Sequence, residues 1–408
     1  MNSLISSIQP IHPFPARMAS AIALEELSSL KKRIRVLDPM MGSGTTLAVA
    51  RSTGNLGIGF DTDPLALLMT KTWCSDLTNP EAILTASEIL LNTAKKMIEK
   101  LDPGKAYPKH ADEETREFID FWFDQKTRKE LSALSLVIDS VENQKFKNLF
   151  WCAFSRMIIT KKVGVSLAMD VSHSRPHKSY RRAPVSPFDF FSKQLKIVLK
   201  RMPFNESFVR CNELEKVLIK RGDARSLSLG NKSVDMVITS PPYLNAIDYL
   251  RGHKLSLVWM GHNISELRKI RSENIGATKK LAEESRRDLE VLKLCGLNEV
   301  GVLSGAQLGM LKRYVFDLDL VISEIERVLC NNGKAIFVIG DCNLGNVFVS
   351  NSKIIKNVSI EKGLRLNFIK KRPLPDNRRY LPPPSNSSSG KAMQKRMREE
   401  VILSFTKN

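Results

Sequence analysis

The four residues Ser240-Pro241-Pro242-Tyr243 form the most distinctive chemical feature of the chain. They follow the apolar run 234–239, whose composition indicates a short buried strand. Each proline fixes its own φ and pushes the residue before it toward extended geometry, so Ser240 and Tyr243 point in nearly fixed directions. The Ser240 oxygen and the Pro241 carbonyl can accept hydrogen bonds from an NH₂ group, and Tyr243 offers a flat face to a planar ring. The turn therefore predicts a site for an aromatic amine, although Pro-Pro-Tyr alone also suits an ordinary strand-ending turn.

A second candidate site is a glycine turn in the first fifty residues. The run 34–38 indicates a buried strand, Gly42 and Gly44 follow it, and 45–51 has helical composition. The glycines allow the backbone to approach a ligand closely, and the helix that follows presents unpaired N–H groups. Because position 47 is leucine, the third glycine of the dinucleotide fingerprint is missing, which disfavours a diphosphate ligand.

Carboxylates stand at the ends of two further predicted strands. Asp61 follows the run 56–60 and lies about 20 residues beyond the glycine turn, where a carboxylate can bind ribose hydroxyls. Together with the glycine turn, Asp61 favours a nucleoside-type cofactor over a purely structural turn. Asp223 follows the run 217–220 and can accept a hydrogen bond from a purine amino group, although an aspartate after glycine is equally a turn residue.

The chain is strongly basic, with 63 Lys+Arg against 43 Asp+Glu in 408 residues and a net charge of +20. This balance favours a polyanionic partner such as nucleic acid, with a cationic ribosomal or membrane-surface protein as the alternative. The six cysteines show neither Cys-x-x-Cys pairing nor a histidine spacing suited to zinc, which predicts reduced thiols and no metal site. Since no signal pattern or long apolar run is present, we expect a cytoplasmic protein with no membrane partner.

The alternation of strand and helix patterns predicts an α/β fold with a doubly wound, mostly parallel sheet. Residues 78–212 differ, because helical periodicity dominates there, and they are expected to form a helical insertion and a candidate target-recognition region. The remaining segments, 1–77 and 213–408, are expected to build one sheet domain. Within the second of them, an apolar helix over 311–329 is predicted to end with a cap at Gly333.

Two segments concentrate positive charge. The segment 161–182 has six Lys/Arg against the single acid Asp170, with His, Pro and Tyr interleaved and no helical period. A flexible basic loop of this kind suits a phosphate backbone and splayed bases, and a solvated surface loop is the alternative. The segment 370–398 is also basic, whereas the stretch 254–290 is nearly balanced and favours a solvated helical face. The candidate nucleic-acid contacts are Lys161, Lys162, Arg175, Lys178, Arg181 and Arg182.

Taken together, Asp38-Pro39-Met40-Met41-Gly42-Ser43-Gly44-Thr45 and Thr239-Ser240-Pro241-Pro242-Tyr243 resemble the cofactor and catalytic motifs of a known family. It is the family of amino-group DNA methyltransferases that modify N4 of cytosine or N6 of adenine and use S-adenosylmethionine. His12-Pro13-Phe14-Pro15 looks like a further cofactor motif of that family. Asp61 is similar in position to the acid that holds the cofactor ribose, and Asp223 to the residue near the adenine. The likeness covers roughly 10–75 and 215–408.

The resemblance implies a Rossmann-like methyltransferase sheet, S-adenosyl-L-methionine as cofactor and double-stranded DNA as substrate. The implied catalytic residues are Ser240, Pro241, Pro242 and Tyr243. One departure is Met40-Met41, where many members have an aromatic or small residue. The resemblance therefore does not determine which residues form the rim of the cofactor pocket. The implied cofactor-binding residues are His12, Pro13, Phe14, Asp38, Pro39, Met40, Gly42, Gly44, Thr45, Asp61 and Asp223.

Serine at the first catalytic position resembles the cytosine-N4 branch, and adenine-N6 methylation stays open because both rings can stack on Tyr243. An RNA methyltransferase with a related turn stays open as well, and so does a non-catalytic nucleic-acid-binding scaffold. The resemblance also leaves open a cognate restriction or defence-system component as a partner.

Overall fold

The computed structural model describes residues 8–14, 17–161, 163–202, 217–244, 248–276, 288–297, 303–344, 347–374 and 399–408. The strands are β1 (Arg35–Asp38), β2 (Leu56–Asp61), β3 (Ala168–Met169), β4 (His177–Lys178), β5 (Leu218–Arg221), β6 (Val234–Thr239), β7 (Leu329–Ile339), β8 (Cys342–Leu344), β9 (Val347–Val349), β10 (Leu364–Pro373) and β11 (Glu399–Lys407).

Seven of these strands form one sheet in the order β10-β11-β7-β6-β1-β2-β5. Neighbouring strands are parallel, except that β11 runs antiparallel to both β7 and β10. The strand order reverses between β1 and β6, which is the position where open sheets of this kind bind ligands. The prediction of a doubly wound, mostly parallel α/β sheet is confirmed.

The helices are α1 (Ser20–Leu27), α2 (Thr45–Ser52), α3 (Pro64–Trp73), α4 (Pro80–Lys100), α5 (Glu113–Trp122), α6 (Gln125–Asp139), α7 (Gln144–Ile158), α8 (Pro187–Arg201), α9 (Tyr249–Leu257), α10 (Ile264–Glu273), α11 (Asp288–Cys295), α12 (Gly305–Val328) and α13 (Asn351–Glu361). Several begin where a polar side chain caps free N–H groups: Asp63 before α3, Asp112 before α5 and Ser304 before α12. Across the described ranges, no helix has the length and apolar character needed to span a membrane.

The two faces of the sheet are covered by separate apolar cores. Along β1, Val36 packs into the core that contains α1, α2 and α3, whereas Leu37 packs into the core formed with α11, α12 and α13. Val338 and Phe337 of β7 alternate in the same way. Because helices bury both faces, the inner strands β1, β2 and β6 are almost continuously buried, which is the pattern of a covered parallel sheet. The edge strands β5 and β10 are mostly exposed. Helices α4 to α8 add their apolar side chains to the first core.

The predicted cap at Gly333 is wrong. Helix α12 ends at Val328, and the chain continues directly into β7, where Leu329 pairs with Val234. The left-handed position falls on Asn332, at φ 62, where the β6–β7 register shifts. Gly333 is needed there for another reason, because a Cβ would lie 2.8 Å from the Cys330 carbonyl oxygen.

The segment 161–182 is more ordered than the flexible loop that we expected. Its strands β3 and β4 pair in antiparallel fashion, and Val165, Leu167 and Ala168 are buried. The backbone N–H of Leu167 also donates to the Trp122 carbonyl at 2.9 Å. The apolar residues between the basic ones therefore fold the segment onto the helical region, and the basic side chains that the structure describes lie on the outside.

Candidate functional site

The two candidate motifs meet at the carboxyl edge of the sheet. Strands β1 and β6 are parallel neighbours, with Val36 opposite Met236 and Leu37 opposite Val237. This register brings the last residues of both strands together, and the Thr239 hydroxyl donates to Asp38 Oδ1 at 2.8 Å. Asp38 is buried, with only 4% of its surface exposed. A structure with Asp38 and Ser240 on distant strands would have excluded a shared site.

The glycine turn is held to the end of β2 by a carboxylate. The Gly42 N–H donates to Asp61 Oδ2 at 2.8 Å, and the Asp63 N–H donates to the other oxygen, Oδ1, at 2.9 Å. Gly44 adopts φ 82, and a Cβ there would lie 2.6 Å from the Thr70 hydroxyl oxygen. Because the conformation is left-handed and the space is filled, this position requires glycine.

Burial perturbs both carboxylates of this edge. It raises the pKa of Asp61 to about 7, and the neighbouring charge of Asp63 adds to the rise. Burial also raises the pKa of Asp38 to about 6, while the Thr239 hydroxyl opposes the shift. The free chain therefore holds two carboxylates that titrate near neutrality, as is common for groups at functional sites.

These shifts predict that the ligand-free chain is more stable at pH 6 than at pH 8. A carboxyl with a raised folded-state pKa keeps a proton that the unfolded chain releases, so its stabilising effect is present at low pH and is lost as the pH rises through 7. Burial also lowers the pKa of His12, which opposes this trend at the acid end of the range, and we expect a net fall in the free energy of unfolding of about 1 kcal/mol from pH 6 to pH 8. Urea unfolding measures this directly.

Asp61→Asn should remove most of this pH dependence, whereas Asp189→Asn at an exposed position of α8 should keep it. An unfolding free energy that stays constant or increases between pH 6 and pH 8 in the unsubstituted chain would contradict the assignment.

The Ser-Pro-Pro-Tyr turn is fixed by two hydrogen bonds to its surroundings. The Ser240 hydroxyl donates to the Val338 carbonyl of β7 at 2.9 Å. The Pro242 carbonyl accepts from the buried hydroxyl of Tyr314, on α12, at 2.9 Å. Because the Ser240 proton is directed toward Val338, the oxygen has only lone pairs to offer to a ligand. Tyr243 is half-buried beside it.

A cavity of about 570 Å³ opens over both motifs. The predicted residues that line it are Phe14, Asp38, Pro39, Met40, Gly42, Thr45, Asp61, Asp223, Ser240, Pro242 and Tyr243. Four others lie outside its lining: His12, Pro13, Gly44 and Pro241. The His12 ring is 1% exposed and contacts the Ser155 hydroxyl of α7 at 3.0 Å, so it packs into the core. Of the predicted His-Pro-Phe motif, the structure brings only Phe14 to the cavity.

Asp223 reaches the cavity with a partner that the sequence pattern did not reveal. Arg225 donates to both carboxylate oxygens of Asp223 and to Asp317 Oδ1, which is fully buried on α12. Arg313 Nε donates to the other oxygen of Asp317 at 3.0 Å. The spacing of Asp223 and Arg225 in sequence was a usable signal, but the buried acid that joins them comes from a helix almost a hundred residues later.

An aromatic cluster under the cavity was not predicted either. Tyr249 stacks on Phe14 with ring centroids 5.2 Å apart, and His253 lies 5.1 Å from the same ring. His253 Nδ1 is 2.6 Å from Asp63 Oδ2. The contact to Asp63 joins helix α9 to the loop that follows Asp61. Only the helical spacing of Tyr249 and His253 could have indicated this cluster.

Besides Arg225, four further arginines of the cavity lining were not predicted: Arg17, Arg251, Arg268 and Arg271. Three of them come from α9 and α10, in or beside the charge-balanced stretch that we expected to form a solvated face. The small net charge of the stretch did not reveal them, because the acid that pairs with Arg251 and Arg271 is Asp248, which lies outside that stretch.

The predicted nucleic-acid contacts lie outside the cavity lining. Lys161, Arg175, Lys178, Arg181 and Arg182 are exposed, and Lys162 lies outside the described residues. Their segment does contact the site, because the Ser174 hydroxyl accepts from the Gly252 N–H of α9 at 3.3 Å. A Cβ at Gly252 would lie 2.5 Å from the Val171 carbonyl, which shows how closely the segment packs on α9.

No protein-family model matches the chain. It is similar to the type II methyltransferase M.MvaI of Kocuria varians, with 27% identity over 279 residues that cover 64% of this chain and 59% of the relative. It is also similar to the type II methyltransferase M.BsoBI of Geobacillus stearothermophilus, with 25% identity over 66% of this chain and 55% of the relative. A solved structure described as a SAM-dependent methyltransferase of Methanosarcina mazei covers 94% of this chain and 96% of its own, with 8% identity and a TM-score of 0.32.

The fold is thus a Rossmann-like α/β sheet, and the relatives detected by sequence are methyltransferases by name. The chain spans 59% and 55% of the length of these two relatives.

Proposed function

We propose that this chain is a DNA methyltransferase that transfers a methyl group from S-adenosylmethionine to the exocyclic amino group of a flipped base, most favourably N4 of cytosine. One observation carries the proposal. Asp38 and Ser240, from the two motifs, end neighbouring parallel strands and line the same cavity of about 570 Å³. The names of the sequence relatives support the same reaction class.

The lining suits a nucleoside-type cofactor. Asp61 still has free lone pairs for ribose hydroxyls, because each of its oxygens accepts one backbone N–H and a carboxylate oxygen can accept two bonds. Gly42 brings the backbone close to the ligand, and Asp223 borders the lining on the far side of β2. We propose that these residues, with Phe14, Asp38, Pro39, Met40 and Thr45, hold the cofactor, which supplies an electrophilic methyl group on a positively charged sulfur.

The catalytic proposal follows from the acceptor geometry of the turn. An exocyclic amine conjugated to a ring is a poor nucleophile, so it must be activated. Ser240 Oγ would accept one N–H proton of the amine. The Pro241 carbonyl, a role that comes from the resemblance, would accept the other, and together they would direct the lone pair toward the methyl group. As the new N–C bond forms, the C–S bond breaks and the amine loses a proton to solvent. Tyr243 would hold the base by stacking after it leaves the duplex.

The neutral acceptor Ser240 determines how strongly the amine is activated and not which ring carries it, so the preference for cytosine rests on the resemblance. The resemblance places serine in the cytosine-N4 branch and aspartate in the adenine-N6 branch. We propose that residues 78–212 recognise the target sequence. The DNA backbone would contact the exposed basic residues Lys161, Arg175, Lys178, Arg181 and Arg182. A cognate restriction component is the further partner that we propose.

Transfer of a labelled methyl group from S-adenosylmethionine to duplex DNA tests the proposal, with RNA of the same sequence as the comparison substrate. Label in duplex DNA is the expected result. Label in RNA alone would favour an RNA methyltransferase, and cofactor binding without transfer to either would favour a non-catalytic scaffold.

A further inference from the structure

Three arginines at the mouth of the cavity have no role in the chemistry proposed above. They are Arg251 of α9 and Arg268 and Arg271 of α10, and all three line the cavity. Their side chains are 53%, 61% and 57% exposed, so they lie where the cavity opens to solvent. The interior lining is acidic by contrast, with Asp38 and Asp61 at the strand ends. The cavity therefore has an acidic interior and an arginine-rich mouth.

Acidic side chains hold these arginines in place. Arg271 Nε lies 2.7 Å from Asp248 Oδ2, and Arg251 Nε lies 3.6 Å from the same oxygen. Arg268 pairs with Glu114 of α5, in the helical region. The Arg268–Glu114 pair is exposed on both sides and contributes little stability, so a phosphate can displace Glu114 at small cost. The Asp248 side chain is only 19% exposed, and its charge competes more strongly for Arg251 and Arg271.

Four basic side chains lie at or beside the mouth, against three acids: Arg251, Arg268, Arg271 and Lys254 against Asp248, Glu114 and Glu273. Arg251 and Arg271 share the single carboxylate of Asp248. The pKa of the nearby Lys254 is lowered by burial and further by Arg271, Arg251 and Arg268, while Asp248 opposes the shift. Exposed Glu273 also lines the cavity. The electrostatic field of these side chains favours an anion at the mouth.

We propose that Arg251, Arg268 and Arg271 bind backbone phosphates of the DNA strand on either side of the nucleotide whose base enters the cavity. This inference rests on the proposed function, since it needs a flipped base. When a base leaves the duplex, its sugar and the flanking phosphates stay at the opening of the pocket. Guanidinium groups suit this position, because they match phosphate oxygens with paired N–H donors and remain charged.

Asp248 then acts against DNA binding in the free protein. Its carboxylate occupies the guanidinium groups of Arg251 and Arg271 that a phosphate would use. It precedes α9, and in the described structure its side chain makes no capping bond to that helix. Removal of its charge should therefore leave the helix intact and free both arginines for phosphate.

The test measures binding of duplex DNA by fluorescence anisotropy over a series of salt concentrations, with no methyl transfer required. Each phosphate contact that a substitution removes should reduce the slope of log K against log salt by about 0.9. We expect weaker binding and a shallower slope for Arg251→Gln, Arg268→Gln and Arg271→Gln, and a slope about 3 units shallower for the triple variant. Asp248→Asn should bind more tightly than the unsubstituted chain.

Arg365→Gln is the matched control, because Arg365 is exposed at the start of β10. This strand is an outer strand of the sheet, and Arg365 does not line the cavity. It removes the same charge and should leave the slope unchanged. Neutralising Lys161, Arg181 and Arg182 together measures the contribution of the 161–182 segment in the same assay. Circular dichroism melting confirms that each variant is folded.

A slope in the triple variant equal to that of the unsubstituted chain would overturn the inference, and so would weaker binding by Asp248→Asn. If the unsubstituted chain methylates DNA while the triple variant keeps its slope, only the inference fails. If the unsubstituted chain binds no duplex DNA, or binds only RNA through these arginines, the proposed function fails with it.

Discussion

Replacing Ser240 with alanine is expected to lower the rate of methyl transfer by about 10²- to 10³-fold, the usual effect of removing one preorganised hydrogen-bonding group from an active site. Affinity for S-adenosylmethionine should stay unchanged, because the Ser240 hydroxyl contacts the Val338 carbonyl and not the glycine turn. Single-turnover transfer to duplex DNA gives the rate, and titration calorimetry gives the cofactor affinity.

Ser52→Ala is a suitable control for this variant. The Ser52 hydroxyl also donates to a backbone carbonyl, that of Val49 at 2.8 Å, but it lies at the far end of α2 from the glycine turn. It should leave the transfer rate unchanged. Tyr243→Ala should also reduce transfer, and Tyr243→Phe should retain most of it because the ring still stacks. Undiminished transfer in both Ser240→Ala and Tyr243→Ala would show that the proposed site is wrong.

Gly44→Val is expected to abolish binding of S-adenosylmethionine. Gly44 has φ 82, and the new Cβ would lie 2.6 Å from the Thr70 hydroxyl oxygen, so the glycine turn or Thr70 must shift. The left-handed conformation alone costs a residue with a side chain about 1–2 kcal/mol. Titration calorimetry measures the binding, and thermal melting shows whether the chain is folded.

Gly309→Val provides the comparison, since Gly309 is exposed on α12 and no atom lies within 4 Å of the position that a Cβ would take there. Asp38→Ala serves as the second variant, because it leaves the turn sequence unaltered and should also lose cofactor binding. The placement of the cofactor would be contradicted if both Gly44→Val and Asp38→Ala kept a cofactor affinity within about twofold of the unsubstituted value. A twofold change corresponds to less than about 0.5 kcal/mol.

The parts of the site that follow directly after strands could be predicted from the sequence. Gly42, Asp61 and Ser240 each stand at the end of a short apolar run, and parallel strands bring their carboxyl ends to one edge of the sheet. The local pattern therefore contained both the fold class and the position of these residues. It could not show that β1 and β6 are neighbours, which depends on the packing of the whole sheet.

The partners that come from distant segments could not be predicted. Arg225 is held by Asp317, and their side chains meet only because α12 packs beside the loop that follows β5. His12 matched a cofactor motif, but the helical region supplies Ser155 as its partner and draws the ring into the core. The small net charge of 254–290 also concealed Arg271, because its position beside Asp248 at the cavity is set by tertiary structure.

The central claim is that the turn at Ser240 presents the exocyclic amine of a DNA base for methylation. The most direct measurement is to express the chain in cells, digest their DNA and identify the modified nucleoside by mass spectrometry. We predict N4-methylcytosine, and its loss when the Ser240→Ala variant replaces the unsubstituted chain. N6-methyladenine without N4-methylcytosine would contradict the choice of base, and DNA with neither nucleoside would contradict the account as a whole.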